Sequence, residues 1–548
     1  MATTATSVPP RPDALDAPTM CEALALTAAA RPGQVALRTP DDAPALTYAE
    51  AMERIRALAA GLHGLGVRRG DTVGLMLVNR PGFHLFDAAA MMIGACPFSV
   101  YNTSPPEQVG YVMGDAGNRV VITEQRFLDV VRAARAHGAA IDTIVSLDGG
   151  EGALGIGDVV AAGAPDFDLE ASWRAVTSDD LLTLIYTSGT TGPPKGVEIT
   201  HANILAELNG VHDAVPATSG GRQVSFLPAA HIADRWASHY GAFMTYGATL
   251  TTVANLPDLF GAVAQVRPTI FGAVPRVWEK LKAGLEARGV TSDTPGEQVR
   301  AMLGLDAAEW FATGAAPTPV EVLEFFDALG IRICEVWGMS EVSCVATTNR
   351  PGEWRAGSVG KPVAGAELRL ADDDELLIRG PLVMRGYRNK PEMTAETIDA
   401  DGWLHTGDIA RVDADGFWWI VDRKKELIIN AAGKNMSPAN IEARLKAAGP
   451  LIGQACVIGD RRPYNVALLV LDPDAAGGLD PADDAVRARV QAEVDAANAR
   501  LSRVEQIKRF ALLAEEWLPG GEELTPTMKL KRRPIAQRYA ETIEALYA

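Results

Sequence analysis

Hydrophobic and polar positions along this chain change their period several times. Between residues 20 and 122 helical spacing alternates with short apolar runs such as Thr72-Val73-Gly74-Leu75-Met76-Leu77, which predicts layered α/β structure. Further strand-like runs stand at 143–147, 181–185, 197–200, 249–253 and 331–336. A helix is expected to open near His201, and a hydrophobic helical stretch to run through Phe243. Residues 268–277 read as a strand entering a helix, and 288–300 as a polar loop. From 357 to 421 the pattern changes to short strands between glycine turns, including 375–380 and 417–421, so a β-rich unit is expected there. The charged break Asp422-Arg423-Lys424-Lys425-Glu426 comes next, and the main boundary is placed at it. Residues 422–548 mix strands (455–459, 466–471) with helices such as 481–503, the size of one small α+β domain. Residues 1–19 are rich in Ala, Thr and Pro and read as disordered. The fold class expected is α/β, with 20–421 as a large domain of layered α/β subdomains and a β-rich part.

Length and charge narrow the partners. With 548 residues and 47% hydrophobic content the chain is too long for one compact domain. Its formal net charge of −18 and pI of about 5.0 weigh against a nucleic-acid partner. The five cysteines are scattered and form no Cys-x-x-Cys, which suits a reducing cytoplasm better than a disulfide framework or a zinc site. Neither a signal peptide nor an apolar run of about 18 residues is seen, so no membrane span is expected. Peripheral contact with a membrane stays open, and so does the choice between monomer and homodimer.

Candidate chemistry begins with Tyr186-Thr187-Ser188-Gly189-Thr190-Thr191-Gly192-Pro193-Pro194-Lys195-Gly196. An apolar strand precedes it and a β-prone run comes after it. The glycines let backbone N–H groups approach a ligand closely. The hydroxyls of Thr187, Ser188, Thr190 and Thr191 add donors, and Lys195 adds a fixed positive charge. This is chemistry for holding a polyphosphate. It is not a Walker loop, because neither Gly360-Lys361 nor Gly433-Lys434 is followed by Ser or Thr. Residues 150–155 match G-x-G-x-x-G, but residues 156–165 make a poor glycine-loop helix, and a glycine-rich surface loop is the better reading. There is no Gly-x-Ser-x-Gly elbow and no His-Glu-x-x-His.

The phosphate loop resembles that of the adenylate-forming enzymes: acyl-CoA synthetases, peptide-synthetase adenylation domains and luciferases. Further motifs stand in that family's order over about residues 20–540. Gly314-Ala315-Ala316-Pro317 resembles the adenine-contacting loop. Trp337-Gly338-Met339-Ser340-Glu341 resembles the next motif, in which the ring stacks on adenine and the glutamate holds Mg²⁺; Thr191 of the loop would share the metal. The family more often has Tyr and Thr where this chain has Trp337 and Ser340. Thr406-Gly407-Asp408 carries an aspartate expected at the ribose, with Arg423 at the ribose or α-phosphate. Lys425 matches the hinge about which the small, mobile domain swings. Lys529 best fits the catalytic lysine, with Lys531 as competitor. His231 lies in a segment that lines the acyl pocket in the family.

Three runs narrow the resemblance to the long-chain fatty acyl-CoA synthetase branch: 422–442, 227–235 and 274–280. In that branch the region of Gly433 and Lys434 meets the pantetheine arm of coenzyme A. The resemblance implies ATP, Mg²⁺ and coenzyme A as partners of a medium- or long-chain fatty acid. A helical insertion usual in the branch is short here, only 281–311, which bears on chain length. The rival readings are a ligase loading a carrier protein, a ligase for an aryl or short acid, a luciferase-like oxygenase and a non-catalytic nucleotide-binding protein.

Overall fold

The computed structural model describes residues 9–187, 193–430, 435–525 and 528–548. Its first layer is a fully parallel sheet in the order Cys96–Ser99, Thr72–Met76, Val120–Thr123, Thr143–Ser146. Three of these strands are buried along their whole length and the fourth in all but its first residue. That explains why their sequences run apolar or β-branched without alternation. The helices Tyr48–Gly64, Pro81–Met92 and Pro106–Ala116 connect and cover them. A capping box at Thr47 and Glu50 starts the first of these.

Beside this sheet runs an antiparallel hairpin, Leu181–Thr187 with Lys195–Thr200, extended by Gly386–Tyr387. The Thr183 hydroxyl ties it to the first layer by donating to the Pro97 carbonyl at 2.8 Å. A third sheet holds Ile270–Ala273, Trp310–Thr313 and Ile333–Trp337 in parallel, then two short antiparallel strands. Four antiparallel strands, Glu367–Leu370, Glu375–Arg379, Leu404–Val412 and Trp418–Arg423, form the β-rich unit expected from the glycine turns. Beyond it, Ile452–Ile458, Asn465–Leu471 and Ile507–Leu513 pack under the helices Pro438–Ala447 and Asp484–Asn498 around a core of their own.

Two expectations are corrected. Residues 9–19 are ordered: a 3₁₀ turn, Asp13–Asp16, buries Ala14 and Leu15, and the Leu15 carbonyl accepts from the Asn209 side chain at 2.9 Å. Small apolar residues between prolines fill a gap over the helix His201–Ala214, so low complexity here does not mean low burial. The polar stretch 288–300 contains the start of a helix, Gly296–Leu303, whose single buried residue Val299 is too sparse a stripe to read as amphipathic.

The stretch through Phe243 is helical, but as an eleven-residue π-helix, Arg235–Thr245, after one α-turn, Ile232–Asp234. A buried polar network holds this unusual winding. Arg235 Nη1 lies 2.7 Å from Asp87 Oδ2, and its Nη2 donates to the Ser99 hydroxyl at 3.0 Å. The other Asp87 oxygen is 2.9 Å from His239 Nε2, and His239 Nδ1 is 2.9 Å from His84 Nδ1. Burial raises the Asp87 pKa, but Arg235 and His239 outweigh it and hold the carboxyl charged; burial, with His239 and Arg235 pushing the same way, keeps His84 neutral.

Candidate active site

The hairpin and the β-rich unit bring their loops to one cleft. Thr187 and Lys195 are register partners at the mouth of the phosphate loop. Ser188, Gly189, Thr190, Thr191 and Gly192 lie outside the described residues. Lys195 Nζ stands 4.4 Å from the Tyr387 ring centroid and 3.4 Å from its hydroxyl. That hydroxyl donates to Glu341 Oε1 at 2.8 Å. Burial lowers the Lys195 pKa, and Lys425 and Arg423 push the same way against the attraction of Glu341. Lys195, Tyr387 and Glu341, from three separate stretches, thus meet at one place, with Arg423 and Lys425 near enough to act on Lys195. Tyr387 is the one that sequence reasoning missed. Its only signal is the Gly386-Tyr387 pairing with Val197 and Glu198, which is visible only in the folded sheet.

Glu341 sits in a 3₁₀ turn after the strand Ile333–Trp337. The turn is tight: a Cβ on Gly338 would come 1.7 Å from the Cys344 carbonyl oxygen, so only glycine fits. Met339 is half-buried and Ser340 buried beside it. Trp337 is only 9% exposed, and its indole N–H donates to Asp408 Oδ2 at 2.9 Å. Asp408 and Arg423 face each other in register on neighbouring strands, joined by Arg423 Nε to Asp408 Oδ1 at 2.8 Å. Arg423 Nη1 also donates to the Thr406 carbonyl at 3.1 Å. Burial raises the Asp408 pKa above the usual carboxylate value, opposed by Arg423, the Trp337 N–H and Lys529.

Gly314 packs beneath Val336, and Ala315, Ala316 and Pro317 are exposed, with Ala315 in left-handed backbone at φ +71°. They form the rim next to Trp337. Inside the same strand Glu335 is buried, its carboxyl pushed up to about 8 by burial while it accepts from the Gly357 N–H at 2.8 Å.

Two residues reach the cleft from farther away. His231 caps the turn Ile232–Asp234, its Nδ1 accepting from the Ala233 N–H at 3.1 Å. Burial, and then the Lys529 charge, bring its pKa down to about 4, so the ring is neutral at pH 7. Lys529 is exposed, and its ammonium lies within electrostatic reach of the cleft's charged groups. Burial lowers its pKa, Arg423 adds to that, and Asp408, Glu341 and Glu426 oppose it. Lys531 turns away, its Nζ donating to the Gly521 carbonyl at 2.8 Å. Gly433 and Lys434 lie outside the described residues.

The C-terminal part is held against the rest by charge. Arg276 pairs with Asp472, Lys280 Nζ lies 2.5 Å from Asp474, and Arg500 Nη1 lies 3.0 Å from Glu321. Lys424, next to the hinge candidate Lys425, is pinned between Asp373 and Glu375 at 2.6 and 2.9 Å. Among the described residues no three His, Cys, Asp or Glu side chains cluster as a metal site. No described helix is long and apolar enough to cross a membrane.

Carboxylates and cations from distant stretches around a glycine–hydroxyl loop suit a nucleotide, and comparison with known proteins agrees. Residues 24–388 match the family model described as "AMP-binding enzyme", and 425–548 match "AMP-binding enzyme C-terminal domain". The chain is 49% identical over 451 residues, 72% of its length and 79% of the relative's, to a putative fatty-acid–CoA ligase, fadD11, of Mycobacterium tuberculosis. It is 35% identical to the long-chain-fatty-acid–CoA ligase FadD15 of Mycobacterium bovis, over 92% of both chains. Its fold is similar to that of the anthranilate CoA ligase AuaEII in complex with anthranoyl-AMP (TM-score 0.80, 22% identity, 96% of this chain and 98% of that one). It is likewise similar to a fatty acyl CoA synthetase of Mycobacterium tuberculosis (TM-score 0.68, 23% identity, 96% and 99%). With two family models spanning nearly all of the folded chain and the cleft assembled from both, the chain belongs to the AMP-binding enzyme family.

Proposed function

We propose that this protein is a fatty acid–CoA ligase: it activates a medium- or long-chain fatty acid with ATP to acyl-AMP and pyrophosphate, then transfers the acyl group to coenzyme A. The observation that supports the adenylation step is the pair of linked sets Lys195–Tyr387–Glu341 and Trp337–Asp408–Arg423 in one cleft, with Lys529 of the C-terminal part within electrostatic reach of Asp408 and Glu341. The fatty acid is taken from the relatives' names.

In this reading ATP lies with its triphosphate on the loop 186–196 and its adenine between Trp337 and the rim 314–317. Asp408 accepts from the ribose, and the Trp337 N–H and Arg423 hold the carboxylate in place for it. Mg²⁺ fits a donor set of one buried carboxylate, Glu341, together with phosphate oxygens and the Thr191 hydroxyl, because this ion takes few protein ligands and keeps substrate oxygens. When bound it would neutralise charge on the phosphates. The fatty acid carboxylate attacks the α-phosphorus, an oxygen–phosphorus bond forms, and pyrophosphate leaves toward Lys195. Lys529 stabilises the negative charge that gathers between carboxylate and α-phosphate. Such fixed charge in an enclosed cleft is commonly a dominant catalytic contribution. His231, neutral, lines the mouth of the acyl pocket. The C-terminal part then turns about Lys425 and offers the region of Gly433 and Lys434 to coenzyme A, whose thiolate displaces AMP. No protein nucleophile takes part.

The division between the two parts is proposed at 422, in the last strand of the β-rich sheet, Trp418–Arg423. Cytoplasmic location follows from the scattered cysteines, and a monomer or homodimer with at most peripheral membrane contact is proposed. The test is acyl-CoA formation followed by mass spectrometry, with ATP, Mg²⁺, coenzyme A and acids from acetate to oleate plus aromatic acids. A maximum at medium or long chains is expected. Activity confined to aryl or short acids would overturn the fatty acid, and pyrophosphate exchange without any acyl-CoA would overturn the acceptor.

A further inference from the structure

Residues 384–388 stitch together two stretches that carry opposite charges. The Met384 N–H donates to the Glu341 carbonyl at 2.8 Å, the Arg385 N–H to the Glu198 carbonyl at 3.0 Å and the Arg388 N–H to the Gly196 carbonyl at 2.7 Å. Between these bonds Gly386 and Tyr387 pair antiparallel with Glu198 and Val197. The Tyr387 N–H donates to the Thr394 hydroxyl at 2.9 Å. The backbone on either side of the tyrosine is thus bonded to the stretch of Glu341 and to that of Lys195, which gives its side chain a fixed origin.

That side chain links the two charges. Tyr387 and Glu341 are both buried, and Lys195 is half-buried. The ammonium lies 4.4 Å from the ring centroid, within the range of a cation–π contact. It also donates to the phenol oxygen at 3.4 Å, and the phenol in turn donates to Glu341 Oε1 at 2.8 Å. The direction of each bond is fixed, because an ammonium only donates, a carboxylate only accepts and a phenol does both. Among the described residues this hydroxyl is the only bonded link between ammonium and carboxylate, although their charges attract. Such attraction strengthens where water is excluded. The flexible four-carbon stem of a lysine would let the two groups meet directly. A direct pair would occupy both the cation that suits a phosphate and the carboxylate that suits Mg²⁺.

We propose that Tyr387 is a positioning residue whose hydroxyl keeps Lys195 and Glu341 from pairing directly, so that the lysine stays free for the nucleotide phosphates and the glutamate for Mg²⁺. This rests on the adenylation reading above. In the parent protein each charged group gives up a neutral hydroxyl when MgATP binds. Without the hydroxyl, each would first have to leave an ion pair.

Two substitutions test this. Tyr387→Phe keeps the ring and removes only the hydroxyl. Lys195→Met removes the cation and keeps an unbranched side chain. Affinity for α,β-methylene-ATP, whose bridging carbon blocks release of pyrophosphate, is measured by calorimetry in EDTA and in excess Mg²⁺. The parent protein, both single variants and the double variant are compared. The ratio of the two affinities is the Mg²⁺ advantage, and it involves no turnover. In Tyr387→Phe the advantage is expected to fall about tenfold, within the usual range of coupling between two bound ligands. In the Lys195→Met background the same substitution should change it by less than about twofold, since no cation remains to take the carboxylate. General loosening of the cleft would lower both affinities alike and leave the ratio where it was. An unchanged or larger advantage in Tyr387→Phe, or an equal fall with and without Lys195, would sink the inference while leaving the adenylation reading intact. A parent protein that binds the analogue no better with Mg²⁺ than without it would sink that reading, and the inference with it.

Discussion

At the scale of single residues, Lys529 and Lys531 make the sharpest comparison. They are two positions apart, yet one lies within electrostatic reach of Arg423 and Asp408 and the other donates to the Gly521 carbonyl. Lys529→Ala is expected to slow pyrophosphate exchange by about 10²- to 10³-fold, the scale of losing one preorganised charge partner, with ATP affinity changed little. Equal loss in Lys531→Ala and none in Lys529→Ala would refute the assignment. Asp234 offers a second residue-scale test. It is buried, with its pKa raised to about 7 by burial, against the hydroxyls of Ser238 and Ser225. A carboxyl whose folded pKa is raised binds its proton more tightly in the native state. Its contribution to stability is therefore full below about 3.8 and is lost as pH rises through about 7. Removing the titration with Asp234→Asn should improve stability relative to the parent between pH 5 and pH 8, by a few kcal/mol. Denaturant midpoints at the two pH values measure this, and a difference that stays constant would refute it.

Elements show where such residues get their positions. The π-helix Arg235–Thr245 is wound around a buried ion pair and two neutral histidines rather than an apolar stripe alone. Removing one partner of a buried pair strands the other charge. Asp87→Ala is therefore expected to cost about 3–5 kcal/mol. Asp87→Asn keeps hydrogen-bonding capacity toward His239 and should cost less. Urea unfolding of both variants checks the order. The pair Leu404–Val412 and Trp418–Arg423 works differently. A register shift between Ile409 and Ala410 brings Asp408 opposite Arg423, so a local irregularity in one strand puts the two charges together.

For the whole molecule, the position of Lys529 depends on how the C-terminal part sits. Arg276 with Asp472, Lys280 with Asp474 and Arg500 with Glu321 join the two parts, and the last two pairs are mostly exposed. Exposed pairs are each worth roughly 0–1 kcal/mol and are screened by salt. Glu321→Ala, which also loosens Arg444, should lower pyrophosphate exchange by no more than about fivefold, with high salt producing a similar fall in the parent. Unchanged thioester formation from preformed acyl adenylate would place the effect on the adenylation arrangement. A fall in both half-reactions alike would not.

Local patterns were the legible part of this protein. A strand, a loop of glycines and hydroxyls, a lysine and a second strand lie within 20 residues, and the hairpin Leu181–Thr187 with Lys195–Thr200 follows from them because its pairing is between neighbours. The β-rich unit was legible for the same reason, through its glycine turns. The resemblance of separate motifs to the adenylate-forming enzymes also suggested Trp337, Glu341, Asp408 and Arg423 as a set. Their actual contacts were decided by the tertiary structure. The Trp337 indole meets Asp408 across 71 positions, and Tyr387 meets Glu341 across 46. Hydrophobic period carries no information about such pairs, since a buried tryptophan or tyrosine reads the same whether its polar atom ends on a core carbonyl or a catalytic carboxylate. The same limit hid the order of residues 9–19, whose burial depends on the helix His201–Ala214 beneath them. The spacing that favoured Lys529 over Lys531 likewise could not show that Lys531 donates to a carbonyl ten residues away, while Lys529 lies within reach of charges about a hundred residues away. Sequence determines what a short stretch can form by itself. Which side chains share a site is decided by long-range packing, where burial, register and opposing charge act together.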